Sequence, residues 1–151
     1  MKVILLSIRL RTSILLLAIS MLSGLTVTAE EKDEYAVNLA SNDSIGTYMV
    51  NETGFTLYYF LNDPGDGNST CSGVCLDAWP AFYAENITVP EGLNASDFAD
   101  AIRTDDVKQT AYKGWPLYYY IEDTAPGELK GHGAKEVWLV ASLEDFNLIE
   151  S

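Results

Sequence analysis

Histidine is almost missing from this chain: His132 is the only one among 151 residues. An H-E-x-x-H zinc site is therefore excluded. There is no G-x-S-x-G elbow and no glycine-rich phosphate loop, so the usual marks of serine hydrolysis and nucleotide binding are absent too. The 22 Asp and Glu cannot be paired into an acid and a base from sequence. A carboxylate hydrolase would have to show two acidic groups about 5 to 9 Å apart in an open cleft, one with a raised pKa. Cysteine is limited to Cys71 and Cys75, and their spacing is neither the C-x-x-C redox motif nor a haem attachment motif. These shortages together predict a protein that is not an enzyme and needs no cofactor.

Basic residues are scarce as well. Of nine Lys and Arg, three (Lys2, Arg9 and Arg11) stand at the extreme N-terminus ahead of an apolar run from Ile14 to Leu25. That run falls short of the ~20 residues needed to cross a bilayer, and Val27-Thr28-Ala29 supplies small residues for cleavage. Residues 1–29 thus read as a cleaved secretory signal peptide, with a retained N-terminal anchor as the alternative. No Cys follows the run, so a bacterial-type lipid anchor has no attachment residue. The remaining 122 residues carry six basic against 22 acidic side chains, a formal charge of −16. Nucleic acid and anionic lipid would be repelled.

What the chain does have is a repeat. Gly54-Phe55-Thr56-Leu57-Tyr58-Tyr59-Phe60-Leu61-Asn62-Asp63 aligns without a gap on Gly114-Trp115-Pro116-Leu117-Tyr118-Tyr119-Tyr120-Ile121-Glu122-Asp123. Downstream, Asp77-Ala78-Trp79 falls opposite Glu136-Val137-Trp138. Thr47–Val50 and Phe55–Leu61 flank a turn-forming group, as Val107–Tyr112 and Leu117–Ile121 flank Lys113-Gly114-Trp115-Pro116; each pair predicts a hairpin. Val137–Ser142 reads as another strand, Cys71–Trp79 as a helical turn, and Ala95–Arg103 equally well as a short helix capped by Ser96 or as a loop into a strand. Strand alternation places Tyr59 and Tyr119 on the opposite face from their neighbours. Rings buried in a shared core are the expectation, with an exposed aromatic platform for sugars or a partner protein as the alternative.

Tyr58-x-Phe60-x-x-Asp63 and Tyr118-x-Tyr120-x-x-Asp123 resemble the Y-x-[FWY]-x-x-D signature of a family of predicted secreted lipoproteins, the "secreted repeat of unknown function" family. Cys71-x-Gly73-x-Cys75 before Trp79-Pro80, the segment from Gln109 to Leu117, and Gly131-x-Gly133 before Trp138 add to the resemblance, which spans Gly46 to Ala141. The chain departs from many members in lacking a lipidated Cys. The resemblance implies an extracytoplasmic repeat domain and brings no established activity.

Asp63 and Asp123 each open a Gly- and Pro-containing loop, where a carboxylate is expected to accept from backbone N–H groups two or three residues on. Calcium held by Asp63, Asp66 and Asn68 is the sharper alternative, although the spacing is not that of an EF-hand. Cys71 and Cys75 are expected to form a disulfide in an oxidising compartment; a thiol-bound transition metal with His132 as third ligand is the alternative. Five N-x-Ser/Thr sequons, at Asn42, Asn51, Asn68, Asn86 and Asn94, are candidate glycan sites on exposed backbone.

These readings combine into a mainly β, small antiparallel domain built from two pseudo-symmetric repeats with one or two short helices. The expected division is signal peptide 1–29, flexible acidic leader 30–45, repeat domain 46–142 and C-terminal tail 143–151. The expected role is a secreted or cell-surface binding or structural module whose partner is an unknown surface protein or glycan. A metal or redox protein using the cysteine pair is the alternative.

Overall fold

The structure, a computed structural model, describes residues 35–149. The proposed signal peptide lies outside them. Strand β1 (Val37–Asn42) and strand β2 (Gly46–Asn51) pair antiparallel around a short turn in which the Asn42 side chain accepts from the N–H groups of Ser44 and Ile45. Leucine-, valine- and tyrosine-bearing positions face inward, and Val37 and Met49 are fully buried. Part of the expected leader is thus a strand. The polar Asn and Ser residues of β1 hid it, because its stability comes from pairing with β2 rather than from its own composition.

The chain then turns at Asn51–Gly54 into β3 (Tyr58–Phe60), passes a loop closed by the Cys71–Cys75 disulfide, and forms α1 (Val74–Ala78). A second hairpin follows. β4 (Phe98–Asp100), β5 (Thr110–Tyr112) and β6 (Trp115–Pro116) make a three-stranded antiparallel sheet. Of the two readings of Ala95–Arg103, the loop into a strand is the one the structure takes: a single 3₁₀ turn at Ala95–Asp97 gives way to β4, and its cap is Asn94, not Ser96, with Asn94 Oδ1 accepting from Ser96 N–H at 3.1 Å. Another 3₁₀ turn (Ala134–Glu136) leads into β7 (Trp138–Val140). The expected C-terminal tail is largely α2 (Leu143–Ile149), pinned by Phe146, which is 1% exposed.

The two halves are interleaved. β3 of the first half pairs with β7 of the second. The reciprocal partner of the second Tyr segment is the first half's Trp segment: Tyr119 N–H donates to Pro80 O (2.7 Å), Phe82 N–H to Leu117 O (2.9 Å) and Ile121 N–H to Ala78 O (3.0 Å). At the centre Tyr58 and Tyr118 exchange backbone hydrogen bonds of 2.8 and 2.9 Å. An approximate twofold axis therefore passes between these two residues. Alternation along the central strands divides the interior into two layers, as the period of a strand requires. Leu57, Tyr59, Leu117 and Phe82 join one apolar cluster, and Tyr58, Tyr118, Trp79 and Trp138 the other.

Candidate functional site

The signature residues meet across the pseudo-axis. Tyr58 OH donates to Asp123 Oδ2 at 2.5 Å, and Tyr118 OH donates to Asp63 Oδ2 at 2.7 Å, so each repeat's phenol is bound by the other repeat's carboxylate. The second oxygen of each carboxylate closes its own loop: Asp63 Oδ1 accepts from Thr70 N–H (2.7 Å), and Asp123 Oδ1 from Lys130 N–H (3.0 Å). Both donors lie seven residues on, not two or three as expected. The loops are longer than a simple Asx turn because the carboxylates also reach inward to a buried phenol. Both carboxylates are at most 8% exposed, which makes these bonds costly to leave unmade.

Burial drives the Tyr58 phenol well above its ordinary range, with the neighbouring Asp123 carboxylate adding to the effect. Burial likewise raises Tyr118. Desolvation also raises Asp123, against the opposing pull of the Tyr58 hydroxyl. Gly131 lies against Tyr58: its N–H reaches the phenol oxygen at 3.3 Å, and a Cβ there would come within 2.8 Å of the Trp79 ring.

The third residue of each signature ends a column of four stacked rings. Phe60 stacks on Trp138 (4.1 Å between centroids), Trp138 on Trp79 (3.9 Å, planes 3° apart) and Trp79 on Tyr120 (4.3 Å). The buried tyrosines abut the column by their edges, Tyr58 against Trp79 at 5.5 Å and Tyr118 against Trp138 at 5.1 Å. Trp79 is 6% and Trp138 3% exposed, so these rings are core and their faces cover one another. An exposed indole platform is not what this arrangement presents.

Sequence reasoning missed Arg103. Its guanidinium, with a side chain only 3% exposed, donates to Ser69 Oγ (2.6 Å), Gln109 Oε1 (2.6 Å), Cys71 O (2.8 Å) and the Asp105 carboxylate. Ser69 Oγ is in turn 2.8 Å from Tyr118 OH. Asp105 raises the guanidinium further above its already high range, and the guanidinium holds the Asp105 carboxyl below the ordinary one. This cluster lacks a counterpart around Tyr58, so the repeat gave no signal for it.

Among the described residues no group of three or more His, Cys, Asp or Glu is placed to hold a metal ion. Cys71 and Cys75 are joined, as expected, and His132 Nδ1 accepts from Val140 N–H at 3.3 Å. Asp63 is committed to Tyr118 and Thr70, while Asp66 accepts from Asn68, whose hydrogen bonds lower the Asp66 carboxyl. Of the sequons, Asn42, Asn86 and Asn94 are exposed and Asn68 is half-buried. Asn51 differs from the expectation. It is 7% exposed, its Oδ1 accepts from Thr53 and Phe55 N–H groups, and its Nδ2 donates to Tyr119 OH at 3.1 Å. A glycan there would have to break the turn that Asn51 organises.

Where the two halves meet, an apolar cleft of about 340 Å³ opens beside the ring column. Phe60, Trp79 and Trp138 line it with Val74, Ala78 and Val137, next to the disulfide at Cys75. Asn62 and Lys135 supply its amide and its charge, and it has no carboxylate, hydroxyl or imidazole on its lining. Val74, at the rim of the cleft, is 85% exposed. Such a lining can hold carbon and exclude water, with the Lys135 ammonium as its one charged group.

The pattern of the family described as "secreted repeat of unknown function" matches twice, at residues 40–82 and 101–142. Each match contains one Tyr signature and the Trp segment that follows it. No curated protein and no solved structure matches the chain. The chain belongs to the secreted repeat of unknown function family, in two copies.

Proposed function

We propose that this two-copy member of the family is a secreted, non-catalytic binding module that holds an apolar group of a surface partner in the cleft beside the ring column. The observation that carries the reading is the composition of that cleft. Three aromatic side chains and three aliphatic ones line it, a valine at its rim is 85% exposed, and Lys135 is its one charged side chain. Ligand sites are concave and mostly apolar with few polar groups, and this cleft sits at the lower end of their usual size, roughly 300 Å³ and upward. The rest of the surface is dominated by acid, which keeps the protein soluble without supplying a specific contact.

The test is a titration of the folded protein with indole and with cyclohexanol as apolar probes, read by backbone amide chemical shifts. Shifts are expected at Val74, Ala78, Lys135 and Val137, and Val74→Asp is expected to abolish them while leaving the melting temperature unchanged. Shifts scattered over the surface, or none at millimolar probe, would remove the cleft from consideration. On the same reading the leader to Ala29 is removed on export, and Asn42, Asn68, Asn86 and Asn94 carry the glycans. The mass of the secreted chain checks both, and glycan mass on an Asn51 peptide would contradict the assignment.

A further inference from the structure

We infer that the ring column is a relay for one-electron oxidation, in which Trp79 passes an electron vacancy from the surface residue Tyr120 to the buried Tyr58, whose proton is taken by Asp123. The inference is independent of any ligand in the cleft. It starts from a contrast within the column. One end is Phe60, a ring hard to oxidise, and the other is Tyr120, half-buried and reachable from solvent. Between them the indoles lie parallel at 3.9 Å, and Tyr58 touches both Trp79 (5.5 Å) and Tyr120 (6.4 Å). Every step from Tyr120 inward is thus a contact between rings that readily lose an electron.

Oxidation of a phenol makes its hydroxyl strongly acidic, so a tyrosine can be the end of such a relay only if a base stands within hydrogen-bond reach. Asp123 Oδ2 is 2.5 Å from Tyr58 OH. Burial makes that carboxyl easier to protonate than an ordinary one. The balance is complete. A one-electron oxidant at the surface, of the class of an oxygen-derived radical or a high-potential metal complex, takes one electron from Tyr120 or Trp79. Tyr58 returns an electron to the oxidised indole and its hydroxyl proton passes to Asp123. The products are a neutral Tyr58 phenoxyl radical, a protonated Asp123, intact indoles and the oxidant reduced by one electron. A one-electron donor of the ascorbate class then restores the phenol, with the proton returning from Asp123.

Tyr118 is paired differently. Its oxygen contacts Asp63 and Ser69, and Ser69 is held by the Arg103 guanidinium. The Tyr118 ring abuts Trp138, which lies one ring further from Tyr120 than Trp79 does, whereas Tyr58 abuts Trp79 itself. The two pseudo-equivalent phenols are therefore unequal, and Tyr58 is the end point.

The experiment is laser flash oxidation of the folded chain with a ruthenium polypyridyl complex and a sacrificial acceptor, followed by transient absorption and by electron paramagnetic resonance of frozen samples. An indole radical is expected to decay as a tyrosyl radical grows, with that radical lost in Tyr58→Phe and kept in Tyr118→Phe. Asp123→Asn keeps the shape and removes the base, and is expected to slow tyrosyl formation about a hundredfold, the lower end of what a positioned base contributes. Deuterium oxide should slow the wild-type step, a readout that needs no variant. A tyrosyl signal unchanged in Tyr58→Phe, or no isotope effect and no change in a folded Asp123→Asn, would overturn the relay.

Discussion

At the scale of single residues, the Tyr and Asp of the signature prove to be donor and acceptor of one hydrogen bond repeated twice, made between copies rather than within them. This has a consequence at high pH. Burial, first of all, raises both phenols in the folded chain, whereas in the unfolded chain they ionise near their ordinary pKa of about 10. The stability they contribute is therefore fully present below about pH 10 and is lost as pH rises beyond it. Alkaline titration is expected to show the exposed tyrosines ionising first, and Tyr58 and Tyr118 ionising only together with unfolding. Tyrosinate absorbance and near-ultraviolet circular dichroism should then break at the same pH, and smooth ionisation of all nine tyrosines in a folded protein would contradict the assignment. The sequence announced these residues through the equal Tyr-to-Asp spacing of its two copies. It could not announce their partners, because a hydrogen bond spanning 65 residues leaves no local pattern. Arg103 was illegible for the same reason, lying outside the repeated pattern.

Among the elements, the β5–β6 turn was anticipated as four residues and is tighter. Tyr112 pairs with Trp115, leaving Lys113 and Gly114 as the two turn residues, both with positive φ (48° and 83°) as a type I′ turn requires. Gly114 has a second reason to lack a side chain: a Cβ would come within 2.2 Å of Gly65 O. Gly114→Ala is expected to cost about 1 to 3 kcal/mol through the left-handed backbone, with displacement of the Gly65 loop adding to it. A urea midpoint equal to that of the wild type would show that the turn tolerates a Cβ. Of the aromatic segments Tyr58–Phe60 is a strand as expected, whereas the strand expected at Leu117–Ile121 is irregular chain that makes only isolated bridges from Tyr118 to Tyr58 and Ala81, the regular pairing of the second hairpin ending at Trp115–Pro116. The quieter elements were not legible. β1 is built from Asn, Ser and Ala around two inward residues, and α2 is held by Phe146 alone among its buried side chains.

For the whole molecule, the duplication was legible and the way its halves combine was not. A repeat in sequence suggests two units side by side, whereas here each Tyr segment is bordered by the other half's Trp segment, strand on strand for β3 and β7 and through single bridges and hydrogen bonds for the other pair. The connection between the halves passes through Glu91 and Gly92, both exposed. A protease site placed there is expected to yield two fragments that stay together in gel filtration and part only in denaturant; fragments that separate in buffer would disprove the interleaving. The exchange also bears on where such a chain comes from. A polypeptide with one copy of the signature has a phenol and a carboxylate that cannot reach each other, and a Trp strand with no Tyr strand of its own to border. Only a second molecule can complete it, so the simplest forebear of this protein is a symmetric homodimer. Within one chain the halves are free to differ, and they do at Phe60 against Tyr120 and at Cys71 against Gly131.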